Sequence, residues 1–192
     1  MSDATAATPP DPLPPARPDL AVHIRTIPDF PVPGVQFRDV TTLFAQPAAF
    51  AEAVAEMATS FAARQPQAIA GMDARGFILG GAIAYRLALP FVPVRKKGKL
   101  PGATLSEAYS LEYGEAIVEV HADAVEPGTR VLLVDDLLAT GGTAAAGVSL
   151  LRRLQAEVVG ASFMVDLPDL GGAARLRALG VQVHTLCAFD GD

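Results

Sequence analysis

The stretch VLLVDDLLATGGT, residues 131–143, constrains the fold more than any other part of this 192-residue chain. Arg130–Asp135 is an almost unbroken apolar run of strand length, the pattern of a strand buried on both faces. A glycine-containing turn follows, then a helical repeat that places Val148, Leu151 and Leu154 inward. A strand covered on both faces and followed by a helix belongs in a parallel sheet, because parallel strands need crossover connections. The apolar run ends in two carboxylates, Asp135 and Asp136. Ligands of open parallel sheets settle at the carboxyl ends of strands, where the loops diverge. Two adjacent acids there cost desolvation and mutual repulsion unless hydroxyls, a cation or a developing positive charge offset them. In Ala139, Thr140, Gly141, Gly142 and Thr143, the glycines let a phosphate approach the free N–H groups of a first helical turn. The two threonines add hydroxyl donors. One segment therefore offers a phosphate cradle beside an acid pair, as a ribose 5-phosphate requires. It is not a Walker A loop, which needs Gly-Lys-Ser/Thr, and it is not a G-x-G-x-x-G fingerprint.

The rest of the chain repeats the same alternation. Asp19 is a helix N-cap candidate before LAVHIRTI, and FPVPGVQFRD (30–39) is read as an irregular turn held by two prolines and a glycine. Pro47 opens a helix with Phe50, Val54, Met57 and Phe61 on one face. Ala68–Met72 reads as a buried strand, Gly76–Leu89 as a helix and Phe91–Arg95 as a strand. Lys96–Ala108 is polar, basic and broken by Gly98, Pro101 and Gly102, so it is expected to be a long loop, a candidate lid. Strands are expected at 113–120, 158–165 and 183–187, with a helix ending at Leu179. The prediction is an α/β fold: a mostly parallel sheet flanked by helices. Residues 1–18, rich in Pro and Ala, are read as a disordered tail outside a single domain spanning 19–192.

Composition narrows the function classes. With 51% hydrophobic and 19% charged residues the chain fits a soluble globular protein. The longest apolar stretch, near Ile78–Leu89, holds Tyr85 and Arg86 and falls short of the roughly 20 residues a span needs. No membrane role and no secretory leader are expected, and Cys187, the single cysteine, excludes an intrachain disulfide. The expected location is cytoplasmic. None of the three histidines has metal-ligand spacing with another. A net charge of −6 argues against nucleic acid as a partner, whereas Arg95, Lys96, Lys97 and Lys99 form a local cationic run suited to a small anion.

VLLVDDLLATGGT resembles the 5-phosphoribosyl 1-pyrophosphate (PRPP) motif of the type I phosphoribosyltransferases. Together with it, IPDFPVPGVQFRD (27–39), GMDARGF (71–77), RKKGKLPG (95–102) and YSLEYG (109–114) resemble the adenine phosphoribosyltransferases. The likeness runs from about residue 19 to 167. It implies a Rossmann-like sheet with a small N-terminal hood over the base site, adenine and PRPP as substrates, and a homodimer. It also implies Mg2+ carried by PRPP, with no metal held directly by the protein. Residue by residue, Ala139–Thr143 would take the 5-phosphate, and Asp135 and Asp136 the ribose. Arg75 and Lys99 would hold pyrophosphate, with Arg95 reaching a neighbouring subunit. Phe37 would stack on adenine against Leu167 while the backbone of Gln36 and Arg38 reads the base edge; Gln36 departs from the aliphatic residue frequent there. Glu112 would assist proton transfer as a mobile lid closes, with Tyr113 beside it. Two rivals are weighed: the same reaction on hypoxanthine, guanine or xanthine, and a PRPP-sensing regulator without catalysis. The second predicts an added basic face and a lost lid acid, and Glu112 is present.

Overall fold

The computed structural model describes residues 18–111 and 114–191. A single helical turn, α1 (Pro18–Ala21), leads into an antiparallel ribbon of β1 (Arg25–Pro28) and β2 (Gln36–Asp39). Next come α2 (Thr41–Phe44), α3 (Pro47–Thr59), β3 (Ala68–Met72), α4 (Gly76–Leu87) and β4 (Phe91–Lys96). A hairpin of β5 (Thr104–Leu111) and β6 (Gly114–His121) precedes β7 (Arg130–Leu138) and α5 (Gly142–Arg153). The chain continues through β8 (Glu157–Asp166), α6 (Gly172–Ala178) and β9 (Val183–Ala188).

The main sheet has the order β5-β6-β4-β3-β7-β8-β9. Strands β4, β3, β7, β8 and β9 run parallel, while β6 is antiparallel to both β4 and β5. One face of the sheet shares a core with α5 and α6, including Leu133, Leu151, Phe163 and Leu176; the other shares one with α3 and α4, including Met57, Ile83, Leu132 and Met164. Leu132 and Leu133 are both fully buried yet belong to opposite cores. That is why β7 reads as a continuous apolar run: successive side chains alternate faces and both faces are covered. Burying each such side chain stabilises the fold by about 1.5–3 kcal/mol. The architecture is the expected mostly parallel α/β sheet with helices on both sides.

Three local expectations are corrected. Lys96–Ala108 is not one long loop: a turn ends at Thr104, where β5 begins and pairs with β6 residue by residue. Leu105 and Tyr109 pack against the core while Ser106 and Ala108 face outward, an alternation masked by the glycines and charges of the turn. The segment after Asp19 is helical only to Ala21, and Arg25–Pro28 is a strand because its partner β2 lies 11 residues further on, out of reach of a local pattern. Residues 30–39 accordingly end in regular structure at Gln36–Asp39. Of the N-terminal tail, residues 1–17 lie outside the described residues.

Candidate active site

β7 extends past its apolar run to Leu138, so Asp135 and Asp136 sit within the strand and its last residues feed the glycine turn. Asp135 Oδ1 accepts the Asp136 backbone N–H at 2.9 Å. Gly76, the first residue of α4, comes so close that a Cβ there would stand 2.8 Å from Asp135 Oδ1. Burial and the neighbouring Asp136 charge push the Asp135 carboxyl well above the usual carboxylate range. Asp136, almost fully buried, accepts a 2.5 Å hydrogen bond from Arg75 Nε, across 61 residues of sequence. Of the acid pair, one member is thus held as an ion pair and the other favours its proton.

The turn is braced from outside its own segment. Gly141 caps α5 with φ +74°, a left-handed conformation that L side chains avoid. It lies against Gly172 at the start of α6, where a Cβ would meet the Ala139 carbonyl at 2.2 Å and the Gly141 nitrogen at 3.0 Å. Sequence reading missed Gly172, although a Gly171-Gly172 pair opening a helix is a visible sign of close backbone approach.

A cleft of about 380 Å³ gathers Arg75, Asp135, Asp136 and all of Ala139–Thr143. Asp73, Lys96 and Tyr109 also line it and were not singled out from the sequence for these positions. Lys96 was one of four cations in a run, and its place as the last residue of β4, at the carboxyl end of the sheet, is the signal that distinguishes it. Lys99 is exposed in the turn beyond, and Arg95 turns back on its own chain. Arg95 donates from Nε to Asp73 Oδ2 at 3.1 Å and from Nη1 to the Lys99 carbonyl at 3.2 Å, and it lies over the Phe77 ring. Glu112 and Tyr113 lie outside the described residues.

Gln36, Phe37, Arg38 and Leu167 do not line this cleft. Phe37, half-buried, meets Phe30 edge to face at 5.1 Å in the β1–β2 ribbon. Leu167 is buried directly after β8. The C-terminal segment joins the two regions. Arg38 stacks over the Phe189 ring at 4.6 Å and donates to the Asp190 carbonyl at 3.1 Å, while the Phe189 N–H donates to the Asp166 carbonyl. The ribbon itself is anchored by Asp39, which accepts from Arg25 at 2.6 Å and from the Thr41 backbone and hydroxyl; these bonds hold its carboxyl below the usual range.

A family model described as the phosphoribosyl transferase domain matches residues 39–175. An adenine phosphoribosyltransferase of Roseobacter denitrificans is 62% identical over 169 residues, covering 88% of this chain and 96% of that protein. The chain belongs to the adenine phosphoribosyltransferase family. A second member of that family, from Jannaschia sp., is 60% identical over 176 residues, covering 92% of this chain and 98% of its own. Among solved structures, the adenine phosphoribosyltransferase of Rhodothermus marinus superposes with a TM-score of 0.84 at 48% identity, covering 89% of this chain and 97% of its own. The adenine phosphoribosyltransferase of Saccharomyces cerevisiae, complexed with an imino-altritol bisphosphate and adenine, gives 0.82 at 34% identity, covering 88% and 97%. The type I phosphoribosyltransferase fold anticipated from the sequence is therefore the fold of this chain.

Proposed function

We propose that the enzyme transfers the 5-phosphoribosyl group of PRPP to adenine, giving AMP and pyrophosphate, as a purine salvage reaction. The observation that carries this reading is the cleft in which a glycine turn at a helix N-terminus faces the ion pair of half-exposed Arg75 with buried Asp136. Backbone N–H groups of Gly141, Gly142 and Thr143, with the Thr140 and Thr143 hydroxyls, take the 5-phosphate. Asp135 and Asp136 hold the ribose hydroxyls, and the Asp136 carboxylate favours positive charge on the ring as the bond to pyrophosphate breaks. Arg75 then has two acceptors in succession, Asp136 before substrate and the departing pyrophosphate after it, with Lys96 on the same wall and Lys99 in the adjoining turn. Magnesium carried by PRPP would neutralise part of the pyrophosphate charge. Arg75, Lys96 and the backbone amides supply what the protein itself contributes to that task.

Phe37 and Leu167 sandwich adenine while the backbone of Gln36 and Arg38 reads its edge. The Arg38 side chain is engaged with Phe189 and Asp190, which leaves the role to the main chain. Glu112 assists proton transfer at the base, with Tyr113 in the lid. Among the described residues no helix is long and apolar enough to cross a membrane. Independently of that, the family resemblance supports a cytoplasmic homodimer with Arg95 at the subunit boundary.

Turnover of radiolabelled adenine, hypoxanthine, guanine and xanthine with PRPP tests the base. Adenine is expected to dominate, and equal use of hypoxanthine would move the assignment to the rival base. Asp136→Asn removes the charge that pairs Arg75 and faces the ribose, and kcat is expected to fall about 100-fold or more. Wild-type turnover in that variant would remove the acid pair from the mechanism.

A further inference from the structure

β5 is the outermost strand of the sheet and pairs with β6 alone, so its side chains decide how it sits over the cleft. They grip α5. Ser149 Oγ donates to Glu107 Oε1 at 2.9 Å, and Arg153 Nη1 donates to Glu107 Oε2 at 3.0 Å and to the Ser106 carbonyl at 2.6 Å. Ser149 and Arg153 are one helical turn apart and share a face, so a single carboxylate spans both. The same helix begins at the glycine turn. Tyr109, two residues beyond Glu107 and on the same face of β5, lines the cleft together with Thr140 and Gly142. One rigid helix therefore carries the phosphate cradle at its end and the hold on the hairpin along its side.

We propose that Glu107 is a positioning residue for phosphoribosyl transfer. Its bonds to Ser149 and Arg153 set the fraction of molecules in which the hairpin wall of the cleft is docked. The inference rests on the reading of that cleft as the PRPP site. The Glu107 and Arg153 side chains are 31% and 46% exposed, so the ion pair is screened by solvent, and the hydroxyl bond adds a similar small amount. A hold of that strength keeps the wall docked in the free enzyme yet lets it lift for substrate entry and product release. When the docked fraction falls, apparent affinity for PRPP falls by the same fraction, and saturating PRPP restores the docked state. Loss of the hold therefore raises KM for PRPP and spares kcat.

The experiment is steady-state kinetics with PRPP varied, on wild type, Glu107→Ala, Glu107→Gln, Arg153→Glu and the exchange Glu107→Arg with Arg153→Glu. Amide hydrogen exchange of residues 104–111 is followed in the same proteins. Glu107→Ala is expected to raise KM for PRPP by roughly three- to tenfold with kcat within about twofold, and to speed exchange in β5 while β7 and β8 stay protected. Glu107→Gln, which keeps an acceptor for Ser149, is expected between that and wild type, and the exchanged pair to recover most of the loss. An unchanged KM in Glu107→Ala, an equal fall in kcat, faster exchange across the whole sheet, or no recovery in the exchanged pair would each overturn the proposal. Asp136→Asn run alongside separates the two readings. Its inactivity with a wild-type Glu107→Ala defeats the positioning role alone, whereas full turnover in it defeats the site.

Discussion

At the scale of single residues, the site depends on atoms that are absent as much as on those present. Gly172 contributes no side chain, yet a methyl there would collide with the Ala139 carbonyl. Gly172→Ala is expected to displace the phosphate turn, lower stability by about 1–3 kcal/mol and weaken PRPP binding by roughly tenfold or more. Thermal unfolding and calorimetric titration with PRPP check both effects. Unchanged affinity would mean that the turn holds its shape without α6 behind it. Asp135 and Asp136 illustrate the complementary case. Neighbours in sequence with the same side chain, they differ in partner: Arg75 donates to Asp136, whereas Asp135 accepts the Asp136 amide, and burial raises the Asp135 carboxyl despite that bond.

At the scale of elements, each helix does one job for the sheet and another for the site. α5 cores one face through Val148 and Leu151 while its first turn forms the cradle. α4 buries Leu79 and Ile83 but leaves Ile78 and Tyr85, seven residues apart and so on one stripe, 47% and 91% exposed. A stripe of this kind would suit the subunit contact of the homodimer proposed above. Tyr85→Glu is expected to shift the enzyme from dimer to monomer in sedimentation velocity. A dimer unaffected by that charge would place the contact elsewhere.

At the scale of the whole molecule, a buried histidine couples folding to acidity. His184 is almost fully buried, bonds Ser162 at 3.2 Å, and has Glu56 Oε1 3.9 Å away. Burial pushes its pKa down to about 4. Below its ordinary value near 6.5 the unfolded chain takes up a proton that the folded chain refuses. Stability is therefore full above that value and declines as pH falls toward 4, by about 3 kcal/mol over the window. His184→Gln is expected to flatten this part of the profile in urea unfolding at pH 4–7.5. Parallel wild-type and variant curves would remove His184 as the source. The raised Asp135 carboxyl has the opposite sign, costing stability as pH rises through its range, so the difference between the two curves isolates the histidine.

The sequence alone determined what is contiguous: a strand buried on both faces, two acids after it, a glycine turn and a helix, all within Val131–Thr143. Local order sufficed there because the strand, its acids and the cradle are joined by covalent geometry. The alternation of strands and helices likewise followed from periodicity, since each covered strand announces its own burial. What tertiary structure decided is everything that needs two distant segments. Arg75 meets Asp136 across 61 residues, Gly172 braces Gly141, and Lys96 rather than Lys99 lines the cleft. The hairpin strand β5 was hidden for the same reason: an edge strand with one partner and a polar outer face carries half the apolar signal of β7. Its hold on α5 through Glu107 joins side chains 42 and 46 residues apart, and only the folded chain brings them within hydrogen-bond reach.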